Sequence, residues 1–252
     1  MANLYTGRTP QELQAITVAD YRWFLNSLRN WMPGSQGGTE VADMAEYLET
    51  ADTSPRQGKA LGLPSIDIED EDAYFAFPTN LKDFTDESLA WSFEAIGVPA
   101  HRGDPLTITE ELTFIGETTE TDNISIRPDN HVVVNMGANQ VSDDMVWAMM
   151  DAPLHFVFTR EAGTDPDFHV YCNGCEVSFT SQKAGDNAFT ADARIYNWSD
   201  ENQNTHACYG HHHRLRFFSD ELSKADALWL FDQAQRLYAH EKFPIPVYGE
   251  EA

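Results

Sequence analysis

Two short stretches of the chain combine cysteine and histidine at the spacing of a zinc half-site. Cys172-Asn-Gly-Cys175 and Cys208-Tyr-Gly-His211 share one pattern, and together they read C-x2-C…C-x2-H with 32 residues between the pairs. Zinc prefers four nitrogen or sulfur ligands in a tetrahedron, and three cysteines with one histidine form a common closed set. The spacing therefore favours a structural Zn²⁺ ion bound by Cys172, Cys175, Cys208 and His211. Substitutes for the fourth ligand are His206, His212 and His213.

Two other interpretations of these residues stay open. Free cysteine is among the most buried residue types, so the three thiols fit equally well as small apolar groups of the core. The histidine run then marks the solvated start of a strand. The third interpretation is a catalytic thiol or a catalytic metal, with His169 or His206 near a cysteine, although nothing in the spacing selects one pair.

The segment around Cys172 and Cys175 has the pattern of a β-hairpin. Its apolar residues are symmetric about Asn173-Gly174, and Asn-Gly is the preferred pair for a two-residue turn with positive φ at both positions. Folding at that point places all the apolar residues on one face. A straight strand would instead move the apolar pattern to the other face halfway along.

Sequence motifs for common catalytic sites are absent. The chain has no G-x-S-x-G, no phosphate-binding G-x-x-x-x-G-K-[ST], no G-x-G-x-x-G and no H-E-x-x-H. Pairs of carboxylates occur, but they are expected by chance among 41 acidic residues. The sequence leaves enzymatic activity uncertain and favours a protein that is not an enzyme.

Charge limits the partners of this chain. Its 252 residues include 41 acidic and 16 basic side chains, for a net charge of −25. This excess opposes specific binding to nucleic acid and adsorption to anionic membranes, both of which require clustered basic residues. The first residues lack a signal-peptide pattern, and no apolar run is long enough to span a membrane. These features predict a soluble intracellular protein or a particle component assembled inside a cell.

A helix is predicted close to the start of the chain. Thr9, Pro10 and Glu12 have the types and spacing of a helix N-terminus. Apolar residues follow at helical spacing as far as Trp31, with one polar break at Asp20, before a Pro-Gly pair ends the pattern.

The remaining elements predict an α+β fold, with an antiparallel β core and helices at both ends. Residues 1–100 are expected to be mainly helical, and residues 101–252 to form the β domain, although the two parts could be one continuous domain. Further helices are predicted at 39–49, at 85–96 with Gly97 as its stop, after a capping Ser142, and at 219–241. Residues 50–66 are predicted to be a loop and 72–77 a strand.

The order of elements from about 103 to 198 resembles that of the tail tube proteins of tailed phages or archaeal tailed viruses. The resemblance lies in β runs, a short helix at "SDDMVWAMMDAP", a strand at "LHFVFTRE" and the closing segment "YCNGCEVSFTSQKAGDNAFTADARIYN". It implies a structural protein without a catalytic site, whose rings stack into a tube around a DNA channel. It also implies location in a virion assembled in the host cytoplasm, with further virion proteins as partners.

Two β runs are predicted to join copies of the chain. "LTITEELTF" and "NAFTADARIYNW" contain no proline or lysine that would block an exposed sheet edge. A homo-oligomeric ring or tube is therefore expected to form by pairing of these edges. The alternatives are a zinc-stabilised cytoplasmic domain that binds a protein partner and, third, a small zinc or thiol enzyme.

Overall fold

Antiparallel strands dominate the described part of the architecture, and several of them are buried along their whole length. The computed structural model describes residues 7–22, 31–33, 56–68, 74–76, 88–99, 111–117, 122–146, 152–185, 189, 193–199 and 205–238. Most of these residues lie in antiparallel strands, so the predicted antiparallel β core is confirmed. Within those ranges, no helix is long and apolar enough to cross a membrane.

The larger of two main sheets has nine strands. Its strands are β1 (Thr17–Arg22), β2 (Trp31–Pro33), β3 (Arg56–Ala60), β4 (Leu63–Ile68), β6 (Trp91–Pro99), β11 (Leu154–Arg160), β12 (Phe168–Cys172), β13 (Cys175–Glu176) and β17 (Gly210–Phe218). The order is β13-β12-β11-β6-β17-β1-β2, and β4 pairs with both β17 and β3.

The second sheet has six strands. They are β5 (Phe75–Ala76), β7 (Leu112–Glu117), β8 (Asn123–Ile126), β9 (His131–Asn135), β10 (Asn139–Met145) and β14 (Ala193–Ile195), in the order β10-β9-β8-β7-β14-β5. A separate ribbon pairs β15 (Asn197–Ser199) with β16 (Thr205–Ala207).

Aromatic side chains join the two sheets into a sandwich. Phe114 of the smaller sheet lies 4.3 Å from Phe156 and 6.2 Å from Phe93 of the larger sheet, measured between ring centroids. All three rings are buried in one apolar cluster. Such ring pairs contribute roughly 0.5–1.5 kcal/mol each beyond the burial of their area.

Two helices are described, α1 (Pro10–Ile16) and α2 (Lys224–Leu237). Each begins with a capping box, formed by Thr9 and Glu12 in α1 and by Ser223 and Asp226 in α2. A cap of this kind stabilises a helix by about 1 kcal/mol. The apolar side of α2 packs on the outer face of the nine-stranded sheet, where Val157, Tyr171 and Phe218 form a cluster with Leu222, Ala227 and Leu230.

The predicted helix from residue 10 to residue 31 is wrong at Thr17–Arg22 and at Trp31, which lie in strands, while residues 23–30 lie outside the described residues. The chain enters β1 at Thr17 and pairs with β17. Asp20, the polar break in the predicted helical face, accepts hydrogen bonds from Arg214 across that pairing. Burial in a sheet therefore overrides the helical spacing of the apolar residues.

Two other helix predictions are also wrong. The predicted helix at 85–96 overlaps β6, all of whose residues are buried, and Gly97 lies inside this strand. Ser142 does not cap a helix; it lies in β10, where its hydroxyl accepts a hydrogen bond from Val132 N of the neighbouring strand. The predicted loop at 50–66 contains the β3–β4 hairpin instead.

Two further predicted elements are confirmed over part of their length. The strand at 72–77 is confirmed at Phe75–Ala76, and a helix occupies Lys224–Leu237 within the predicted 219–241. The helix at 39–49 lies outside the described residues. The division of the chain near residue 100 stays a prediction.

The two β runs predicted to be free edges each contribute an interior strand of the six-stranded sheet in their described part. Leu112–Glu117 pairs with β8 on one side and β14 on the other, and Ala193–Ile195 pairs with β7 and β5. Their backbone groups are therefore already paired within the chain. The predicted assembly of copies through these two strands loses its structural basis.

Candidate functional site

The hairpin prediction at Asn173-Gly174 is confirmed. The backbone φ angles are 48° at Asn173 and 79° at Gly174, and Cys172 pairs directly with Cys175 across the turn. Cys172 is buried in the core, whereas Cys175 is half-buried. The turn is tied to β11 because His155 N donates to Asn173 Oδ1 at 2.8 Å.

The three consecutive histidines at 211–213 donate hydrogen bonds to three different acceptors. His211 Nδ1 donates to Asp67 Oδ1 at 2.6 Å, His212 Nε2 donates to the carbonyl oxygen of Cys208 at 2.7 Å, and His213 Nδ1 donates to the carbonyl of Pro64 at 3.0 Å. The side chain of His206 lies outside the described part of the chain.

The structure does not bring the four predicted zinc ligands together. Among the described residues, no group of three or more His, Cys, Asp or Glu side chains is arranged to hold a metal ion, and Cys172, Cys175, Cys208 and His211 are all described. The geometry gives the zinc prediction no support, and zinc stays a prediction. Burial raises the pKa of the Cys172 and Cys208 thiols, which disfavours the reactive thiolate.

A buried charge cluster lies between the nine-stranded sheet and α2. Arg216 Nε donates to Glu94 Oε2 at 2.6 Å, and His155 Nε2 donates to Glu94 Oε1 at 3.1 Å. Burial acts to raise the pKa of Glu94, but the charge of Arg216 and the hydrogen bond from His155 outweigh it and hold the pKa well below its ordinary value.

This cluster is sealed from solvent. Glu94 and His155 are 0% exposed, and the ring of Phe231 in α2 lies 5.6 Å from the His155 ring. A strongly shifted pKa often marks a functional site, but a catalytic carboxylate requires contact with its substrate. The cluster is therefore a structural contact that fixes α2 on the sheet.

A row of hydrogen-bonding side chains crosses the outward face of the six-stranded sheet. Pairing aligns Arg194 with Gly116, Gly116 with Asn123, Asn123 with Asn135, and Asn135 with Asn139. Directly paired residues share one face of an antiparallel sheet. The core face is occupied by their neighbours, such as Ile124 and Val134. We call Arg194, Asn123, Asn135 and Asn139 the amide row; it spans four strand spacings, roughly 19 Å.

Exposure changes along the amide row. Asn123 is 3% exposed, and its Oδ1 atom has no hydrogen-bond partner among the residues that the structure describes. Asn135 and Arg194 are half-buried, and Asn139 is exposed. The open end of the row therefore lies at β9 and β10, where Val141, which is 37% exposed, pairs with Val133 on the same face.

The other end of the amide row carries an aromatic ring. Arg194 places its Cζ atom 4.0 Å from the ring centroid of Tyr74, which is a cation–π contact. Each asparagine amide offers two donors and one acceptor oxygen. The face combines amide donors and acceptors, one arginine and a small apolar patch, which suits a ligand with many hydroxyl groups.

The sequence contains a signal for this face in the positions of its asparagines. Asparagine is depleted in strands, yet it occurs at the start of β8, at the end of β9 and at the start of β10. The alignment of these residues depends on the register of four strand pairs, which no single motif encodes.

Comparison with solved structures shows the fold. The structure is similar to domain 4 of AbnA, a GH43 extracellular arabinanase from Geobacillus stearothermophilus in complex with arabinotriose, with a TM-score of 0.53 and 15% identity over 85% of this chain and 97% of that chain. It is also similar to the binding domain of Paraclostridial Mosquitocidal Protein 1, with a TM-score of 0.56 and 13% identity over 88% of this chain and 53% of that chain.

A third similar structure is botulinum neurotoxin type C, whose cell entry is described as dependent upon interaction with two ganglioside molecules. The TM-score is 0.55 at 11% identity, over 90% of this chain and 53% of that chain. This chain thus spans about half the length of the toxin chains. No protein-family profile and no curated protein matches the sequence.

These similarities overturn the resemblance to tail tube proteins. The structural neighbours are β-sandwich domains of a glycoside hydrolase and of toxins, so the virion function and the tube assembly inferred from the sequence are wrong. The zinc-stabilised domain has no zinc site among the described residues. The short helix on which the resemblance partly rests is not formed at its predicted start, where Ser142–Met145 lies in β10.

Proposed function

We propose that this chain is a glycan-binding β-sandwich module that binds a neutral oligosaccharide on the outward face of its six-stranded sheet. The observation that carries the proposal is the amide row, which aligns Asn123, Asn135 and Asn139 across three adjacent strands.

The chemistry of the row fits sugar hydroxyl groups. A hydroxyl donates one hydrogen bond and accepts others, and an asparagine amide complements both roles. The exposed Asn139 and the half-buried Asn135 would make the first contacts, with Val141 beside them for the apolar C–H surface of a sugar ring. Sites for small ligands commonly combine a few polar groups with apolar lining in this way.

The negative net charge of the protein favours uncharged glycans over anionic ones. With a charge of −25, the protein repels anionic ligands over a distance of about 8 Å at physiological ionic strength. A sialylated glycan would bring a carboxylate against this field, whereas a neutral oligosaccharide would not. The complex of a structural neighbour with arabinotriose, an uncharged sugar, supports a neutral ligand.

An array of immobilised oligosaccharides, with arabinotriose and sialylated glycans included, tests the proposal. We expect the wild-type protein to bind neutral members and to bind sialylated members weakly. Asn139→Ala should weaken binding about 2- to 13-fold, because one net hydrogen bond contributes roughly 0.5–1.5 kcal/mol.

Gln140→Ala is the matched control for Asn139→Ala. Gln140 is the next residue of β10 but pairs with Val134, a core residue, so it lies on the opposite face. The control should bind like the wild type. Binding of no glycan by the wild-type protein would refute the proposed function, and equal losses in the two variants would move the site away from this face.

A further inference from the structure

We propose that Cys172 and Cys175 form a reversible disulfide across the hairpin when the chain meets a small-molecule disulfide such as oxidised glutathione. Both cysteines are free thiols in the structure and form a directly paired position of β12 and β13. Paired residues of antiparallel strands have Cα atoms about 4.5–5.5 Å apart, and disulfides span Cα separations of about 4.4–6.8 Å.

The hairpin holds the two thiols next to each other. Asn173 and Gly174 both have positive φ, which closes the tightest connection between strands. A Cβ atom at Gly174 would lie 2.4 Å from Cδ1 of Phe231, so the tip of the turn packs closely against α2. The turn cannot open without disturbing this contact, and the pairing of the cysteines is maintained.

The two thiols differ in solvent exposure, and this difference decides which of them reacts first. Cys175 is half-buried and lines an open cleft of about 360 Å³ together with Gly174, Glu176 and Lys224. Cys172 is 0% exposed and belongs to the core. The cleft admits the oxidant, so Cys175 reacts first.

The exchange takes place in two balanced steps. The Cys175 thiolate attacks one sulfur of the glutathione disulfide, and one glutathione leaves as a thiolate. The Cys172 thiol then loses its proton and attacks the Cys175 sulfur, and the second glutathione leaves. Two protein thiols are oxidised, and one small-molecule disulfide is reduced to two thiols.

The buried thiol makes the second step the slower one. Cys172 lies in the apolar core at 0% exposure, whereas the first attack takes place at the open cleft, and each attack requires a thiolate, which is more abundant at higher pH. The glutathione adduct on Cys175 should therefore be detectable at pH 7 and should convert to the disulfide faster at pH 8.5.

Intact-mass spectrometry of the full chain tests the proposal. Protein is treated with oxidised glutathione in the presence of EDTA, quenched in acid, unfolded and alkylated. Reduced protein should carry three alkyl groups, one for each cysteine of the sequence. Oxidised protein should carry one, with the mass of the chain lower by about 2 Da.

Cysteine variants show which two thiols form the disulfide. Cys208→Ala is the control and should still lose two alkylation sites, because Cys208 is buried outside the hairpin. Cys175→Ser should form no disulfide, and Cys172→Ala should stop at the glutathione adduct; near-ultraviolet circular dichroism confirms that each is folded.

Two results would overturn the proposal. One is a wild-type protein that keeps three alkylation sites, or a stable glutathione adduct, after treatment at pH 8.5. The other is a disulfide that survives in folded Cys175→Ser, which would require Cys208 as a partner.

Discussion

Arg216 donates a hydrogen bond of 2.6 Å to Glu94 from the neighbouring strand, and both side chains are buried beneath α2. The two residues are separated by 122 positions in the sequence. Their ion pair joins β6 and β17, the two strands at the centre of the nine-stranded sheet. The sheet therefore contains a fixed charge pair at the position where the helix covers it.

Removing the charge of Glu94 should destabilise the protein strongly. Glu94→Gln removes the carboxylate to which the buried guanidinium of Arg216 donates and leaves Asp20 as the other negative charge acting on it. Breaking a buried pair in this way costs roughly 3–5 kcal/mol. Glu176→Gln is the matched control, because Glu176 is paired with Lys224 at the surface and such pairs contribute about 0–1 kcal/mol. Urea unfolding at pH 7 measures both variants. Equal losses of unfolding free energy in the two variants would show that the buried pair contributes no more than the surface pair.

Acid should destabilise the protein through two buried histidines. Burial lowers the pKa of His212 to about 3 and that of His213 to about 4. The unfolded chain takes up these protons at an ordinary pKa of about 6.5, so between about pH 6.5 and pH 4 it binds more protons than the native state. Stability therefore falls as pH decreases through this window, by about 2 kcal/mol per histidine between pH 7 and pH 5.

His212→Gln separates this effect from the titration of carboxylates. The amide can still donate toward the carbonyl of Cys208, but it does not titrate. Urea unfolding at pH 7 and pH 5 should show a pH dependence about 2 kcal/mol smaller in the variant than in the wild type. An unchanged difference between the two pH values would mean that His212 is protonated in the folded state.

The hairpin tip should be sensitive to any side chain at Gly174. Gly174→Ala places a Cβ atom at positive φ, which costs roughly 1 kcal/mol, and presses it against Phe231, which adds a further 1–3 kcal/mol of overpacking. The free energy of unfolding should fall by about 2–4 kcal/mol.

A double-mutant cycle with Phe231→Ala separates the two contributions. Removing the ring relieves the contact but not the backbone strain, so Gly174→Ala should cost only about 1 kcal/mol in that background. The same cost in both backgrounds would show that the ring is not the obstacle.

Local chemistry explains which elements could be predicted from the sequence. The Asn173-Gly174 turn requires only two residues with positive φ, and the start of α1 is a capping box formed by Thr9 and Glu12, whose types and spacing predicted it. Both features are decided within a few residues. They were visible for that reason.

Long-range pairing explains the elements that could not be predicted. The segment around Phe93 has apolar residues at helical spacing, yet it forms β6 because it pairs with β11 and β17. Gly97 was expected to end a helix, but a Cβ atom there would lie 2.7 Å from the carbonyl oxygen of His211 on the adjacent strand. Gly97 allows β6 and β17 to approach each other closely. The sequence alone does not reveal that β17 is the partner strand.

The candidate site depends on register for the same reason. The amide row exists only because four strand pairs align Arg194, Asn123, Asn135 and Asn139. The cysteine motifs predicted a metal site because their residues are close in sequence. Among the described residues, however, no group of side chains is arranged to hold a metal ion.

Side-chain amide signals in solution NMR test the central claim most directly. The protein, labelled with ¹⁵N, is titrated with a neutral oligosaccharide that it binds, and signals are assigned with the Asn139→Ala and Gln140→Ala variants. The account predicts that the largest shifts fall on Asn135, Asn139 and the backbone of Val141, and that Asn139→Ala weakens binding while Gln140→Ala does not. Shifts confined to the cleft at Gly174–Ser178, or equal affinity in Asn139→Ala and the wild type, would contradict it.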